Sequence, residues 1–136
     1  KKVLFGKFSD YYKADLKGKR AAIWGLSYKP GTDDMREAPA LTLISQLLDA
    51  GCTVKAYDPA AMDEARHRLG DSIEYASDIY DAVRDADVLF HVTEWKEYRM
   101  PDWQKVKSLM KHPLLIDGRG VFNKSDLEGI NYLRIG

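Results

Sequence analysis

The chain has 136 residues, 45% hydrophobic and 31% charged, with 21 basic and 21 acidic side chains and no formal net charge. It fits one folded domain and excludes a disordered chain, and its neutrality gives no long-range pull toward nucleic acid or an anionic membrane. No apolar run approaches the ~20 residues of a bilayer span, and the single cysteine, Cys52, cannot close an intrachain disulfide, so no membrane partner and a cytoplasmic location are expected.

Lys1 to Lys19 is basic and aromatic, with Val3, Leu4, Phe5 and Phe8 at helical spacing. This predicts the end of a helix that begins upstream, an amphipathic stub lacking a partner; the plainer reading is a frayed terminal helix on its own domain. From Arg20 short apolar runs alternate with helical periods. Residues 20–25 make a compact apolar strand. Pro39 suits the first turn of a helix because it has no N–H to lose there, and Leu41, Ile44, Leu47 and Leu48 recur on one face until Gly51. Residues 52–57 alternate with period two, Cys52, Val54 and Ala56 inward, and stop at Asp58-Pro59. A helix over 61–69, a short strand at 73–75, a small helix over 79–84 and a buried strand over 86–92 follow. Asp102 caps a helix to Met110 with Val106, Leu109 and Met110 inward, and strands at 114–117 and 131–135 complete the pattern.

Strands separated by single helices imply right-handed crossovers. The expected fold is a doubly wound α/β domain: a mostly parallel, Rossmann-like sheet of five or six strands in three layers. Ligands bind such sheets beyond the carboxyl ends of the strands, so the loops after Gly25, Tyr57, Val92 and Asp117 are the candidate site.

The loop after the first strand is the richest polar stretch, Gly25-Leu-Ser-Tyr-Lys-Pro-Gly-Thr-Asp-Asp-Met-Arg-Glu-Ala-Pro39. It lacks the three glycines of a dinucleotide-binding turn, with Ser27 where the second would stand, and it lacks the spacing of a P-loop. It offers Lys29 as a mobile point charge and Arg36 as a planar fork, with Asp33, Asp34 and Glu37 beside them. A solvated loop in which Asp33 or Asp34 caps the next helix and pairs with Arg36 accounts for the same residues.

The segment Trp24-Gly-Leu-Ser-Tyr-Lys-Pro-Gly-Thr-Asp-Asp-Met-Arg-Glu-Ala-Pro39 closely resembles the signature loop in the carboxyl-terminal domain of the UDP-glucose/GDP-mannose dehydrogenase family, on its UDP-glucose branch. The resemblance continues through Tyr57-Asp58-Pro59, Ala86-Asp87 to Thr93-Glu94-Trp95, and Asp117-Gly118-Arg119, and covers the chain from about Leu16. It implies a UDP-sugar-binding domain over 16–136, with residues 1–15 as the end of the family's connecting helix. It implies further that Tyr28, Lys29 and Arg119 contact the UDP-sugar and that Arg36 touches NAD across the interface with an amino-terminal domain. The enzymes of the family oxidise the 6-hydroxyl of a nucleotide sugar to a carboxylate in two NAD-dependent steps, UDP-glucose to UDP-glucuronate in this branch, as dimers. UDP-N-acetylmannosamine and GDP-mannose are the alternative substrates. Where Gly120 stands the family usually has asparagine, a change that loosens the local backbone.

The same resemblance places the nucleophilic cysteine and the glycine-rich NAD turn upstream. Cys52 then reads as a small buried hydrophobe, this chain carries no catalytic residue, and alone it is inactive. Tyr28 read as ordinary core and Arg119 paired with Asp117 are the competing local readings. Asp58 reads as a turn cap before Pro59 rather than a ribose acceptor, and Trp95, Tyr98 and Trp103 as a hydrophobic lid or interdomain contact. His67, His91 and His112 show no metal-ligand spacing, so no metal is expected. A phospho-receiver module of similar topology would need an acidic pair ending the first strand and a lysine after the fifth, and this chain has neither.

Overall fold

Along β1 (Arg20–Trp24) the side chains of Ala21 and Ile23 enter one apolar cluster and those of Ala22 and Trp24 another, and all four are buried. β4 (Val88–His91) splits in the same way, with Val88 and Phe90 against Leu89, and so does β5 (Leu114–Asp117), with Leu114 and Ile116 against Leu115. Strands buried on both faces are the mark of a parallel sheet covered by two helical layers. The computed structural model describes residues 3–135; Lys1, Lys2 and Gly136, and what the sequence suggests for them, lie outside those residues.

With β2 (Thr53–Tyr57), β3 (Glu74–Tyr75) and β6 (Asn131–Arg134) the sheet has six strands, all parallel, in the order β3-β2-β1-β4-β5-β6. This is the order of doubly wound folds, in which the reversal of winding falls between β1 and β4. One face is covered by α1 (Val3–Tyr11), α2 (Pro39–Asp49) and α3 (Met62–Leu69), which bury Leu4 and Phe8, Leu43, Ile44 and Leu47, and Ala65. The other face is covered by α4 (Ile79–Val83) and α5 (Trp103–Leu109), through Ala82, Val83 and Val106.

Three local expectations change. The helical stub at the start has a partner in this domain: Phe8 is fully buried and meets Phe90 edge-on at 5.6 Å. Tyr12 and Tyr11, just beyond and at the end of α1, tie it down by donating to the Asp87 carbonyl at 2.6 Å and pairing with His112 at 2.7 Å. The inward face of α2 is Ala40, Leu43, Ile44 and Leu47, while Leu41 and Leu48 are half-buried, because the helix packs on two neighbours rather than one. Of the aromatic residues after β4 read as a lid or interdomain contact, Tyr98 is core, while Trp95 and Trp103 are half-buried against it. Tyr98 is fully buried and stacks on Trp24 at 5.4 Å, and Trp103 lies between Trp24 and Phe122. Cys52 keeps its expected place, buried with its thiol on the Leu16 carbonyl and its pKa pushed up to about 11 by that burial, so no thiolate forms near neutral pH.

The switch point is closed by Gly25, whose φ of +104° and near contact with Thr93 exclude a side chain: an added Cβ would sit 2.5 Å from both the Thr93 nitrogen and its Cβ. Gly25→Ala therefore destabilises the domain by at least about 2 kcal/mol, from overpacking against backbone and an unfavourable φ. Urea unfolding of the variant measures it, and a midpoint equal to that of the parent chain would contradict the close approach.

Candidate functional site

All four loops singled out by topology meet at the carboxyl edge of the sheet, and two buried carboxylates hold them there. Asp58, at the end of β2, is 1% exposed. Its Oδ2 accepts the backbone N–H groups of Leu26 and Ser27 at 2.8 and 3.0 Å and the indole N–H of Trp95 at 3.2 Å, while its Oδ1 accepts the N–H groups of Ala60 and Ala61. The turn-capping role expected of Asp58 is half of what it does; the other half reaches across to the loop after β1. Thr93 completes the lock, its hydroxyl donating to the Ser27 carbonyl at 2.6 Å.

This arrangement decides how an anion can be held. In a dinucleotide-binding turn the backbone N–H groups after the first strand point at the ligand's pyrophosphate. Here the N–H groups of Leu26 and Ser27 are occupied by an internal carboxylate, and the Tyr28 N–H donates to the Asp34 carbonyl at 2.9 Å. The helix that follows begins only at Pro39, with Ala38 as an N-cap that makes no side-chain hydrogen bond. The loop can therefore offer an anion its side chains but not its first three amides.

Those side chains stand out in solvent. Tyr28 is 45% exposed, which removes the reading of it as core, and the Lys29 ammonium lies 5.5 Å from its ring centroid. Arg36 is exposed and clasps Asp34, through Nε to Oδ1 and Oδ2, both at 3.1 Å, and Nη2 to Oδ2 at 2.8 Å. The hydrogen bonds from the Arg36 guanidinium lower the Asp34 pKa to about 2, so the clasp stays ionised at neutral pH. The pairing half of the solvated-loop reading thus holds and the helix-capping half does not. Asp34 folds back on its own loop and caps nothing. Arg36 and Asp34 border a groove of about 400 Å³ completed by Thr32, Asp33, Glu64 and Arg68 on the α3 side. On the other side of the loop, Pro30 and Gly31 border a largely apolar cleft of about 420 Å³ with Glu94, Trp95, Lys96, Glu97 and Arg99.

Asp117, at the end of β5, is the second anchor and is fully buried. His91 Nδ1 donates to its Oδ1 at 2.9 Å, as does the Arg119 N–H at 3.0 Å; Oδ2 accepts from the Val121 N–H at 2.9 Å and the Tyr132 hydroxyl at 2.7 Å. Burial alone would raise its pKa, but these donors, His91 and Tyr132 foremost, outweigh burial and hold it well below the usual carboxylate range. The guanidinium of Arg119 does not pair with Asp117; it reaches Glu94, with Nη2 at 3.0 Å and Nε at 3.3 Å from Oε1. Nor is the loop loosened by Gly120. Its φ is +66°, a conformation asparagine tolerates better than most residues, and its carbonyl accepts a hydrogen bond from Arg134 at 2.6 Å.

The structure thus brings the loops of Lys29 and Arg119 to one edge and puts Arg36 on a groove facing α3. Sequence reading gave Asp58 its turn cap but missed its reach to the loop after β1, and it missed Asp117 as an anchor and Glu94 as a partner. A parallel sheet with β2 and β4 flanking β1 brings a carboxylate ending one strand beside the turn leaving the next, which was the available signal.

Residues 22–124 match the UDP-glucose/GDP-mannose dehydrogenase family, UDP binding domain. The UDP-glucose 6-dehydrogenase of Rhizobium meliloti is 43% identical over 124 residues, covering 90% of this chain and 28% of that protein. The UDP-glucose 6-dehydrogenase TuaD of Bacillus subtilis is 42% identical over 118 residues, covering 87% and 26%. A solved UDP-glucose dehydrogenase from Pyrobaculum islandicum superposes with a TM-score of 0.80 at 27% identity, over 96% of this chain and 28% of that one. The chain spans a little over a quarter of the length of these relatives.

Because the folded state lowers the Asp117 pKa, its contribution to stability is complete above the ordinary aspartate range, about 4, and is lost as pH falls through that range toward the lower folded value. Asp117→Asn removes this contribution. Urea midpoints measured from pH 2 to 7 are expected to show a variant about 3 kcal/mol less stable at pH 7, with the gap closing in acid. A gap independent of pH would contradict the assignment.

Proposed function

The chain belongs to the UDP-glucose/GDP-mannose dehydrogenase family as its UDP binding domain, and from that premise we propose that it holds the UDP part of UDP-glucose at the carboxyl edge of its sheet within a longer NAD-dependent UDP-glucose 6-dehydrogenase. In that polypeptide residues 1–15 end a connecting helix, residues 16–136 form the UDP-sugar-binding domain, and an amino-terminal domain supplies the nucleophile and most of the NAD site. The complete enzyme oxidises UDP-glucose to UDP-glucuronate with two NAD, as a homodimer in the cytoplasm. The lone buried thiol of Cys52 suits a reducing compartment.

One observation carries the placement of the ligand. The amides that would cradle a phosphate in an ordinary Rossmann turn are taken by Asp58, and Lys29 and Arg119 are among the cationic side chains exposed on the loops of the same edge. A diphosphate carries the matching charge and geometry: Lys29 serves as a mobile ammonium, Arg119 as a planar fork, and Tyr28 lines the pocket beside them. UDP-glucose is favoured over the mannose-derived sugars by the 42–43% identity to enzymes named for it.

Arg36 fits a peripheral contact with NAD. Nε and Nη2 are on Asp34, so the Nη1 end of the guanidinium still presents donors to a phosphate across a domain interface. NAD, when bound, accepts the hydride from the sugar C6. This chain's own contribution is to bind and orient, since its one cysteine is buried and protonated; alone it neither binds NAD well nor turns over substrate.

In the complete enzyme, Lys29→Ala is expected to lower kcat/KM for UDP-glucose by one to two decades, the loss of a charge-assisted contact of about 1.5–3 kcal/mol. Arg36→Ala is expected to raise the KM for NAD more than that for UDP-glucose. Steady-state kinetics with each substrate varied in turn checks both. An unchanged efficiency for Lys29→Ala rules out its substrate role, and equal losses for Arg36→Ala make that residue structural.

A further inference from the structure

We propose that Glu94 is a positioning residue for the UDP ligand, acting through Arg119 by holding one edge of the guanidinium so that the other faces the diphosphate. The inference rests on the reading of Arg119 as a substrate contact and extends it to a residue that has no ligand contact of its own.

The geometry of the pair selects this role. Nε and Nη2 of Arg119 both converge on Oε1 of Glu94, at 3.3 and 3.0 Å, so the side-on edge of the guanidinium is engaged. A guanidinium has five N–H donors in one plane; with one from Nε and one from Nη2 directed at Glu94, the remaining three lie on Nη1 and the far side of Nη2. Two of those three, one on each Nη, form the end-on fork that bridges two oxygens of a phosphate. Among the described residues no other side chain engages them.

Glu94 can aim Arg119 because its own backbone is held on both sides. Thr93 before it donates to the Ser27 carbonyl at 2.6 Å, Trp95 after it donates to Asp58 at 3.2 Å, and the Trp95 N–H closes on the Thr93 carbonyl at 3.0 Å. Arg119 is rooted in the same way: its N–H is on Asp117, and the N–H of Gly118 bonds the His91 carbonyl at 2.9 Å. The pair therefore spans two rigid posts, the ends of β4 and β5. Glu94 also borders the cleft beside Pro30 and Gly31 of the signature loop. The Asp34–Arg36 clasp, by contrast, joins residues two apart in one exposed loop and fixes nothing beyond it.

Both members are partly exposed, so the pair adds little to folding; holding a long side chain in one orientation matters at binding, where the ordering is already done. A carboxylate held this close could instead compete with the phosphate for Arg119, and the two roles predict opposite signs.

Calorimetric titration of UDP into the complete polypeptide separates them. Arg119→Ala is expected to weaken binding about 10–100-fold, and Glu94→Ala about 3–10-fold with no change in melting temperature. Glu94→Gln, whose amide oxygen still accepts, is expected to retain most of the affinity. The double variant should bind no more weakly than Arg119→Ala alone, since Glu94 acts only through Arg119. Tighter binding by Glu94→Ala, unchanged binding, or a further loss in the Arg119→Ala background would each overturn the positioning role while leaving Arg119 as a ligand contact. If Arg119→Ala itself binds UDP as well as the parent protein, the fault lies in the substrate role of Arg119, and this inference falls with it.

Discussion

A carboxylate stands where a phosphate would be expected. In the dinucleotide-binding version of this fold the turn after the first strand is built from glycines so that its amides can meet a pyrophosphate. Here the same amides meet Asp58, supplied by the neighbouring strand, and the turn is thereby fixed from inside the protein. Two consequences follow. The loop is ordered without a ligand, and any anion it receives must be held by side chains further along it. One buried residue thus withdraws the backbone amides of this turn from any ligand, with Gly25 and Thr93 as the close contact that lets β1 and β4 support it.

Asp117 repeats the device at the next loop. Both carboxylates are buried at strand ends and both are satisfied by several donors, the condition under which a charge in a protein interior is tolerated. A carboxylate that gathers four or five donors from different segments removes the freedom of each, which a neutral side chain of the same size would not. Both loops are thereby preorganised, and little ordering is left for the moment of binding. The exposed charges that face solvent, Lys29, Arg36 and Arg119, are carried on this frame without belonging to it.

Most of the fold was legible because period-two and helical patterns register what each residue meets on its own element. Among the described residues, the six strands and five α-helices each fall on a segment read from the sequence, with bounds close to those observed except at α1, read to residue 15 and ending at Tyr11. The packing of Tyr98 and Trp103 escaped, since Tyr98 ends a short turn and Trp103 starts α5, where no period registers, and both pack on Trp24 more than seventy residues away. The site divides the same way. Lys29, Arg36 and Arg119 could be named from a motif, but what fixes their loops could not. Asp58 meets Leu26 across 32 positions and Trp95 across 37, and His91 meets Asp117 across 26. Such contacts exist only once the strand order is known, and the same holds for the difference between Arg119 paired with Asp117 and Arg119 paired with Glu94.

The claim beneath all of this is that the edge shared by the loops of residues 26–34 and 118–121 is where the nucleotide diphosphate sits. A crystal structure of the complete polypeptide with UDP tests it most directly. The account predicts diphosphate oxygens within hydrogen-bonding distance of the Lys29 ammonium and the Arg119 guanidinium, with Asp58 still bound to the Leu26 and Ser27 amides. A diphosphate lodged on those amides with Asp58 displaced, or bound away from this edge altogether, would contradict it.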